Sequence, residues 1–300
     1  MRSPVITLSF GEAGSWPRVT DGAGAVQLRI RGSESRSERP SGVWREGPYG
    51  IMPPIASDAL VLRTDKLGET SKVVVLLTKE RGKVRAVAKG ARGSRPRFHS
   101  ALEPLSEVRV GLYGRHGADL YRLGQCELIR SAYVCGGRDL ETALTFSYFA
   151  ELLDAFSPEG EAEEKVYRLA VAVIRAVEEG ASSKVMSRYL EAWLLRLHGL
   201  YPPLDRCASC GAKIGEGGRE YQRAAHGFVC GRCGVASGPS LTRESRCFLE
   251  RIFHEPPGAL RDASAPAEIE PFHRELIARH LERDLRSYRV LKDALRTAAP

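Results

Sequence analysis

The sequence predicts an α+β protein: a small β-barrel near the N-terminus, helices after it, and a cysteine-rich module set among the helices. Three observations predict it. Short Val/Leu-rich runs fill residues 57–131, the pattern turns helical after about Arg138, and two C-x-x-C pairs stand at 207–210 and 230–233.

Residues 1–56 read as a flexible tail. They are rich in Gly, Ser, Pro and Arg, with SESRSERPSG at 33–42 and MPP at 52–54, a composition that cannot bury enough apolar surface to fold. Met52 stands just before the first patterned segment, so a translation start there is the simplest account of the tail. A basic arm that adds nonspecific nucleic-acid affinity is the functional alternative.

The barrel comes from ALVLRT (59–64), SKVVVLLT (71–78), KVRAVAKG (83–90), SEVRVGLY (106–113) and ADLYRLGQCELI (118–129), separated by Gly, Asp and Arg turn clusters. Strand-sized runs with turn signals between them and no helical period predict a closed five-stranded barrel over 57–131. For a basic domain the OB-fold is the commonest such answer, and the SH3-like barrel is its competitor.

The helices follow. In LETALTFSYFAELLDAF (140–156) Leu140, Leu144, Tyr148 and Leu152 recur every four residues, and Pro158 ends the segment. KVYRLAVAVIRAVEEG (165–180) closes on Gly180, and SKVMSRYLEAWLLRLHG (183–199) opens on Ser183 as a candidate N-cap. The Met and aromatic positions of this third helix read as core. These helices predict a domain over 138–203, followed by the cysteine module at 204–238. Over 239–300, C-terminal helices complete the helical domain: one near 241–253 and a long one from Pro271 to about Leu295.

Composition bounds the function. The chain has 300 residues, 43% of them hydrophobic, which suffices for two domains. A formal charge of +8 favours an anionic partner such as nucleic acid, with plain solubility as the competing reading. No run approaches the roughly 18 apolar residues that cross a bilayer. Seven cysteines without an export signal point to a reducing, cytoplasmic setting, where paired thiols hold metal. There is no G-x-x-x-x-G-K-[ST] loop, and GAGAVQ at 22–27 fails the dinucleotide pattern. No Ser/His/Asp or paired-carboxylate constellation stands out, so neither a nucleotide cofactor nor a catalytic residue is expected, and the chain reads as non-enzymatic.

The strongest motif is CASC (207–210) with CGRC (230–233), separated by residues 211–229. Each pair lies on a tight turn that brings two thiolates to one cation, and two turns complete a tetrahedron. Gly211 and Gly234 follow the second cysteine of each pair, as in zinc ribbons. Cys207, Cys210, Cys230 and Cys233 therefore predict one structural Zn2+ per chain, with no open position for water. Two redox pairs or buried free thiols are the alternative, and the thioredoxin-like context that redox pairs need is missing. Cys126, Cys135 and Cys247 read as packing residues.

The second motif is a basic run: Lys79, Arg81, Lys83, Arg85, Lys89, Arg92, Arg95 and Arg97 against one acid, Glu80. Lys83, Arg85 and Lys89 share one strand parity, and Val84, Ala86 and Ala88 the other, which puts cations opposite the apolar face. Such a face suits phosphates and carries no base code. If about six of these cations each neutralise a phosphate, single-strand affinity falls with salt with a log–log slope of roughly −4. The competing reading is an edge strand defended by charge. Aromatics that could stack on bases are scarce: Phe98, Tyr113 and Tyr121 are the candidates, and each reads equally well as a core residue.

ALVLRTDKLGETSKVVVLLTKERGKVRAVAKGARGSRPRF (59–98) resembles the N-terminal OB domain of the RecO family of bacterial recombination mediators. The resemblance lies in the Leu67-Gly68-Glu69 turn, the polar pair and hydrophobic strand after it, and the glycine-led basic strand with AKGAR at 88–92. GLYP at 199–202, just before CASC, is similar to that family's approach to its zinc module, and the likeness spans about 57–296. Residues 1–51 match nothing typical of it, in keeping with a start at Met52.

The resemblance implies a RecF-pathway mediator in the bacterial cytoplasm, associated with the nucleoid. Such proteins bind single- and double-stranded DNA, anneal complementary strands, recognise the acidic C-terminal tail of single-strand-binding protein, pair with RecR and help load RecA. It assigns the DNA role to Lys79–Arg97 and the metal role to the four cysteines. The partner tail is placed on the helical region and C-terminal helix, where Arg279, Arg283 and Arg286 would meet acidic residues. A zinc-ribbon adaptor in transcription or RNA metabolism is the alternative function.

Overall fold

The computed structural model describes residues 8–9, 18–19, 54–92, 98–115, 117–132, 139–215, 219–233 and 240–298. The chain divides into Met1–Pro53 and Pro54–Pro300. In the first unit the described residues form a two-residue ladder, Leu8 opposite Val19 and Ser9 opposite Arg18. The rest of the expected tail up to Pro53, Met52 included, lies outside the described residues.

In the second unit, β1 (Ile55–Leu67), β2 (Ser71–Thr78), β3 (Gly82–Ala88), β4 (Glu107–Tyr113) and β5 (Tyr121–Arg130) close a barrel in the order β1-β2-β3-β5-β4. The β3–β5 pair is parallel, with Ala86 opposite Tyr121. The other pairs are antiparallel, which makes an OB-like barrel. Period-2 alternation fills it: Val61, Val74, Leu76, Val84, Ala86, Ala88, Val108, Val110 and Leu112 point inward. β1 is longer than the six residues of ALVLRT because it closes the barrel. Its first half pairs with β4 and its second with β2, and the register shifts between Val61 and Arg63 where the strand bends. Leu60, Leu62, Val75 and Leu77 are buried outside that core, where α1 and α2 lie against β1 and α2 against β2. Covering both faces explains the unbroken hydrophobic runs.

The helical part comprises α1 (Leu140–Phe156), α2 (Glu164–Glu178), α3 (Ser183–Leu197), α4 (Arg243–His254), α5 (Ile269–Leu281) and α6 (Arg286–Ala298). Asp139 caps α1 by accepting from Thr142 N–H, and Leu140, expected in the apolar stripe, is exposed one residue past that cap. The N-cap of α3 is Ser182, one residue before the expected Ser183, and it makes no side-chain cap bond. Every residue from Val185 to Leu195 is buried, so α3 is a central helix and not one with a single apolar side.

The single C-terminal helix expected over 271–295 is two helices. Glu282 takes a left-handed conformation (φ 52°) that ends α5. Glu151 of α1 then accepts from the N–H groups of Arg286 and Ser287 at 3.1 and 2.8 Å and caps α6. The break lets Tyr288 pack on Tyr148, 5.5 Å between ring centroids, and buries Leu285 and Leu291. Between α3 and α4, β6 (Arg219–Gln222), β7 (Gly227–Val229) and β8 (Ser240–Leu241) form a small sheet in the order β8-β6-β7. Among the described residues no helix is long and apolar enough to cross a membrane.

Candidate functional site

The two C-x-x-C turns form the expected cluster. Cys207 N–H donates to Ala212 O at 2.8 Å and Gly211 N–H to Cys207 O at 2.9 Å, and Gly211 sits at φ +71°, where a β-carbon would be strained. The second turn closes through Cys233 N–H to Cys230 O at 2.9 Å, and Ala208 N–H ties the first turn to Phe228 O of β7 at 2.8 Å. Gly234 lies outside the described residues. The four sulfurs lie within 4.8 Å of one another, and no other such group of ligating side chains occurs among the described residues.

The sulfurs fit a tetrahedral cation. Cys210 Sγ and Cys230 Sγ are 3.8 Å apart, and a tetrahedron with a metal–sulfur distance of ~2.3 Å has edges of ~3.8 Å. Backbone N–H groups aimed at its sulfur, that of Cys230 at 3.4 Å foremost, bring the Cys207 thiol down to about 6. Cys230 is lowered by the N–H of Arg232. Cys233, hydrogen-bonded to the sulfurs of Cys210 and Cys230, is pushed up to about 12. A divalent cation takes the place of the thiol protons that the neighbouring sulfurs hold through hydrogen bonds.

The module is anchored on α5. Tyr221 and Phe228 pack on Phe272 with centroid distances of 5.5 and 5.3 Å, and Arg223 grips Glu275 through two bonds of 2.7 and 2.8 Å. Beneath lies a buried polar chain. Glu191 accepts from Arg188 (2.8 Å) and Tyr148 (2.6 Å) and meets His273 Nδ1 at 3.0 Å; His273 Nε2 meets Tyr201 Oη at 3.0 Å. Arg188 and the other partners hold Glu191 below the usual carboxylate range against its burial, and burial lowers His273 despite Glu191.

The basic run divides. On β3, Val84, Ala86 and Ala88 point into the barrel while Lys83 and Arg85 point out. Lys83 is largely covered: Nζ donates to Asp154 O at 2.6 Å and lies 3.2 Å from Asp154 Oδ1, with 13% of its side chain exposed. Arg63 shares that carboxylate at 2.8 Å. Arg85 pairs with Glu159 of the α1–α2 loop, both about half exposed. Arg81, Lys83 and Arg85 line a cavity of about 420 Å³ together with Glu80, Asp119 and Glu159, so the charges there largely balance.

Lys89 and Arg92 lie at the opposite end of β3, both exposed. Arg92 N–H donates to Thr70 O at 2.8 Å and its guanidinium to Gly68 O at 3.1 Å, fixing it on the β1–β2 turn. Lys66 and Lys72 stand opposite each other across that turn, with Lys72 opposite Ala88. Lys66, Lys72, Lys79, Arg81, Lys89 and Arg92 form no ion pair with a described residue. Lys79 is half-buried, and Arg95 and Arg97 lie outside the described residues.

Lys66 and Lys72 were missed by a reading confined to 79–97, although their placement on either side of LGET is the signature of a cross-turn pair. No sequence signal points to Asp154 and Glu159. Arg279, Arg283 and Arg286 are exposed but straddle the break between α5 and α6. Arg279 meets the His226 ring, while Arg283 lies 3.9 Å from Glu151, whose carboxylate also receives Arg286 N–H.

Two family models match in tandem: "Recombination protein O N terminal" over residues 52–132 and "Recombination protein O C terminal" over residues 137–289. A protein named DNA repair protein RecO from Koribacter versatilis is 34% identical over 233 residues, covering 76% of this chain and 94% of the relative. One of the same name from Anaeromyxobacter is 34% identical over 243 residues (78% and 94%), and one from Geobacter metallireducens 32% over 244 residues (79% and 96%).

Proposed function

The chain belongs to the RecO family, with the DNA repair and recombination role that membership implies, and on that premise we propose that it binds single- and double-stranded DNA and anneals complementary strands. With RecR it helps load RecA onto DNA coated by single-strand-binding protein, whose acidic C-terminal tail it recognises. The observation that carries the reading is an OB-like barrel whose β1–β2–β3 end bears cations that form no ion pair with a described residue. Annealing needs no bond chemistry. Cations screen the repulsion between strands, and released counterions drive association.

The cysteine cluster holds zinc as a structural ion. Four thiolates close its coordination, so the metal offers substrate no open position and serves to hold β6 and β7 on α5. The helical surface is the side on which protein partners dock, Arg279, Arg283 and Arg286 offering charge to an acidic tail.

The test is annealing of complementary oligonucleotides by purified protein without ATP, with matched RNA as competitor. The mediator reading expects annealing at low salt and preference for DNA. Failure to bind either strand form at low salt defeats it, and preference for RNA favours the adaptor alternative.

A further inference from the structure

We propose that the phosphodiester backbone of a single strand is gripped at the rim of the barrel around the β1–β2 turn by Lys66, Lys72, Lys89 and Arg92, with Leu67 meeting the bases. This rests on the DNA-binding reading above and moves its centre from the β3 face to the turn. Phosphate binding requires cations not already neutralised, and the two outward cations of β3 face Asp154 and Glu159. At the rim the balance differs. Lys66, Lys72, Lys89 and Arg92 share the turn with Glu69 and Asp65, and Arg63 already pairs with Asp65.

Backbone register brings the cations together. Lys66 opposes Lys72, and Lys72 opposes Ala88, the neighbour of Lys89. Lys66 and Lys72 share the face of Ala88 at the barrel mouth and Lys89 follows Ala88 past the strand end, so three adjacent strand ends at ~4.8 Å spacing place these backbone positions within a width of about 10 Å. Arg92 is preorganised: its bond to Gly68 O occupies one donor and leaves the rest of the guanidinium fork for phosphate. At the tip Leu67 is 41% exposed, beside Gly68 at φ +59°. A large apolar side chain in water among cations suits a ligand with charge along one edge and apolar faces along the other, which describes an unpaired polynucleotide. An acidic peptide supplies the charge without a row of planar faces.

The experiment is fluorescence anisotropy with fluorescein-labelled oligo(dT) across a salt series. It compares wild type, K66Q/K72Q, L67A, and K165Q/K184Q, which removes two exposed helical lysines. We expect K66Q/K72Q to flatten the log–log slope by about 1.4, at ~0.7 per single-strand phosphate contact, and K165Q/K184Q to leave it unchanged. L67A should weaken binding roughly threefold to tenfold at unchanged slope, the loss of an apolar contact. Circular dichroism verifies folding, and K66Q with R92Q replaces the double variant if K72Q unfolds. Wild type that binds while K66Q/K72Q behaves like K165Q/K184Q overturns the proposal and leaves the DNA-binding reading standing. Wild type that does not bind defeats both. Displacement of oligo(dT) by a poly-Glu peptide of equal charge at lower concentration than unlabelled oligo(dT) also overturns it.

Discussion

Lys83 Nζ lies 2.6 Å from the carbonyl oxygen and 3.2 Å from the carboxylate of Asp154, joining the barrel's basic strand to the end of α1. A cation held this way acts mainly in cohesion. Lys83→Ala should lower stability by about 1.5–3 kcal/mol, the range for hydrogen bonds to charged groups. Its effect on the salt slope of single-strand binding should be well below the ~0.7 of a phosphate-contacting cation. Chemical denaturation and a salt titration of the same variant decide this, and a full loss of slope with unchanged stability contradicts it.

Arg85 and Glu159 make the opposite case, because both are about half exposed. A pair of that kind contributes only about 0–1 kcal/mol, and phosphate competes with the carboxylate. Glu159→Gln should therefore leave the thermal midpoint almost unchanged while tightening single-strand binding, with a slope steeper by up to ~0.7. Isothermal titration on both proteins checks it. Weaker binding by the variant would show that Glu159 supports the site.

For the metal, protein purified under reducing conditions should carry about one equivalent of zinc, measured by plasma emission. Cys230→Ser should lose it. Hydrogen exchange should then rise over β6 and β7, while the barrel strands, whose core lies elsewhere, keep their protection. Less than about half an equivalent of zinc in the wild type would contradict the structural role.

The pH dependence follows from His273 and Glu191. Burial lowers His273 from its ordinary 6.5, so the unfolded chain binds the proton more readily than the folded one. Stability from neutral His273 is fully present above 6.5 and is lost as pH falls through the lowered folded value. Glu191, lowered from 4.5, adds a second loss as pH falls from 4.5 through its folded value. Thermal midpoints should thus decline below about pH 6.5, with zinc content followed in parallel. His273→Asn should be less stable at neutral pH, because it disturbs the partners of a buried carboxylate, and its midpoint should decline less between about pH 6.5 and 5. A variant declining as steeply as wild type would show that other groups govern acid sensitivity.

Much of the fold was legible because it is written in local patterns. The alternation of Val84, Ala86 and Ala88 against Lys83 and Arg85 appears on β3 as read, and the two C-x-x-C turns converge as their spacing requires. What was not legible depends on partners far along the chain. Sequence alternation shows that Lys83 points outward, but not that Asp154, 71 residues on, waits there. The burial of α3 on every side is hidden because Arg188 and Glu191 look like a polar face until their partners are known. The break at Glu282 escaped for a similar reason: the apolar series Leu281, Leu285, Tyr288, Leu291 runs on through it, and the cap that starts α6 comes from Glu151.

The most direct measurement is the equilibrium affinity for an unstructured single strand as a function of monovalent salt. A cationic barrel surface that binds DNA gives tight binding at low salt and a linear log–log plot with a slope of roughly −4, as expected if about six cations meet phosphates. A slope shallower than about −1 would mean that fewer than about two phosphates are neutralised, and it would contradict a cationic barrel surface as the seat of DNA binding.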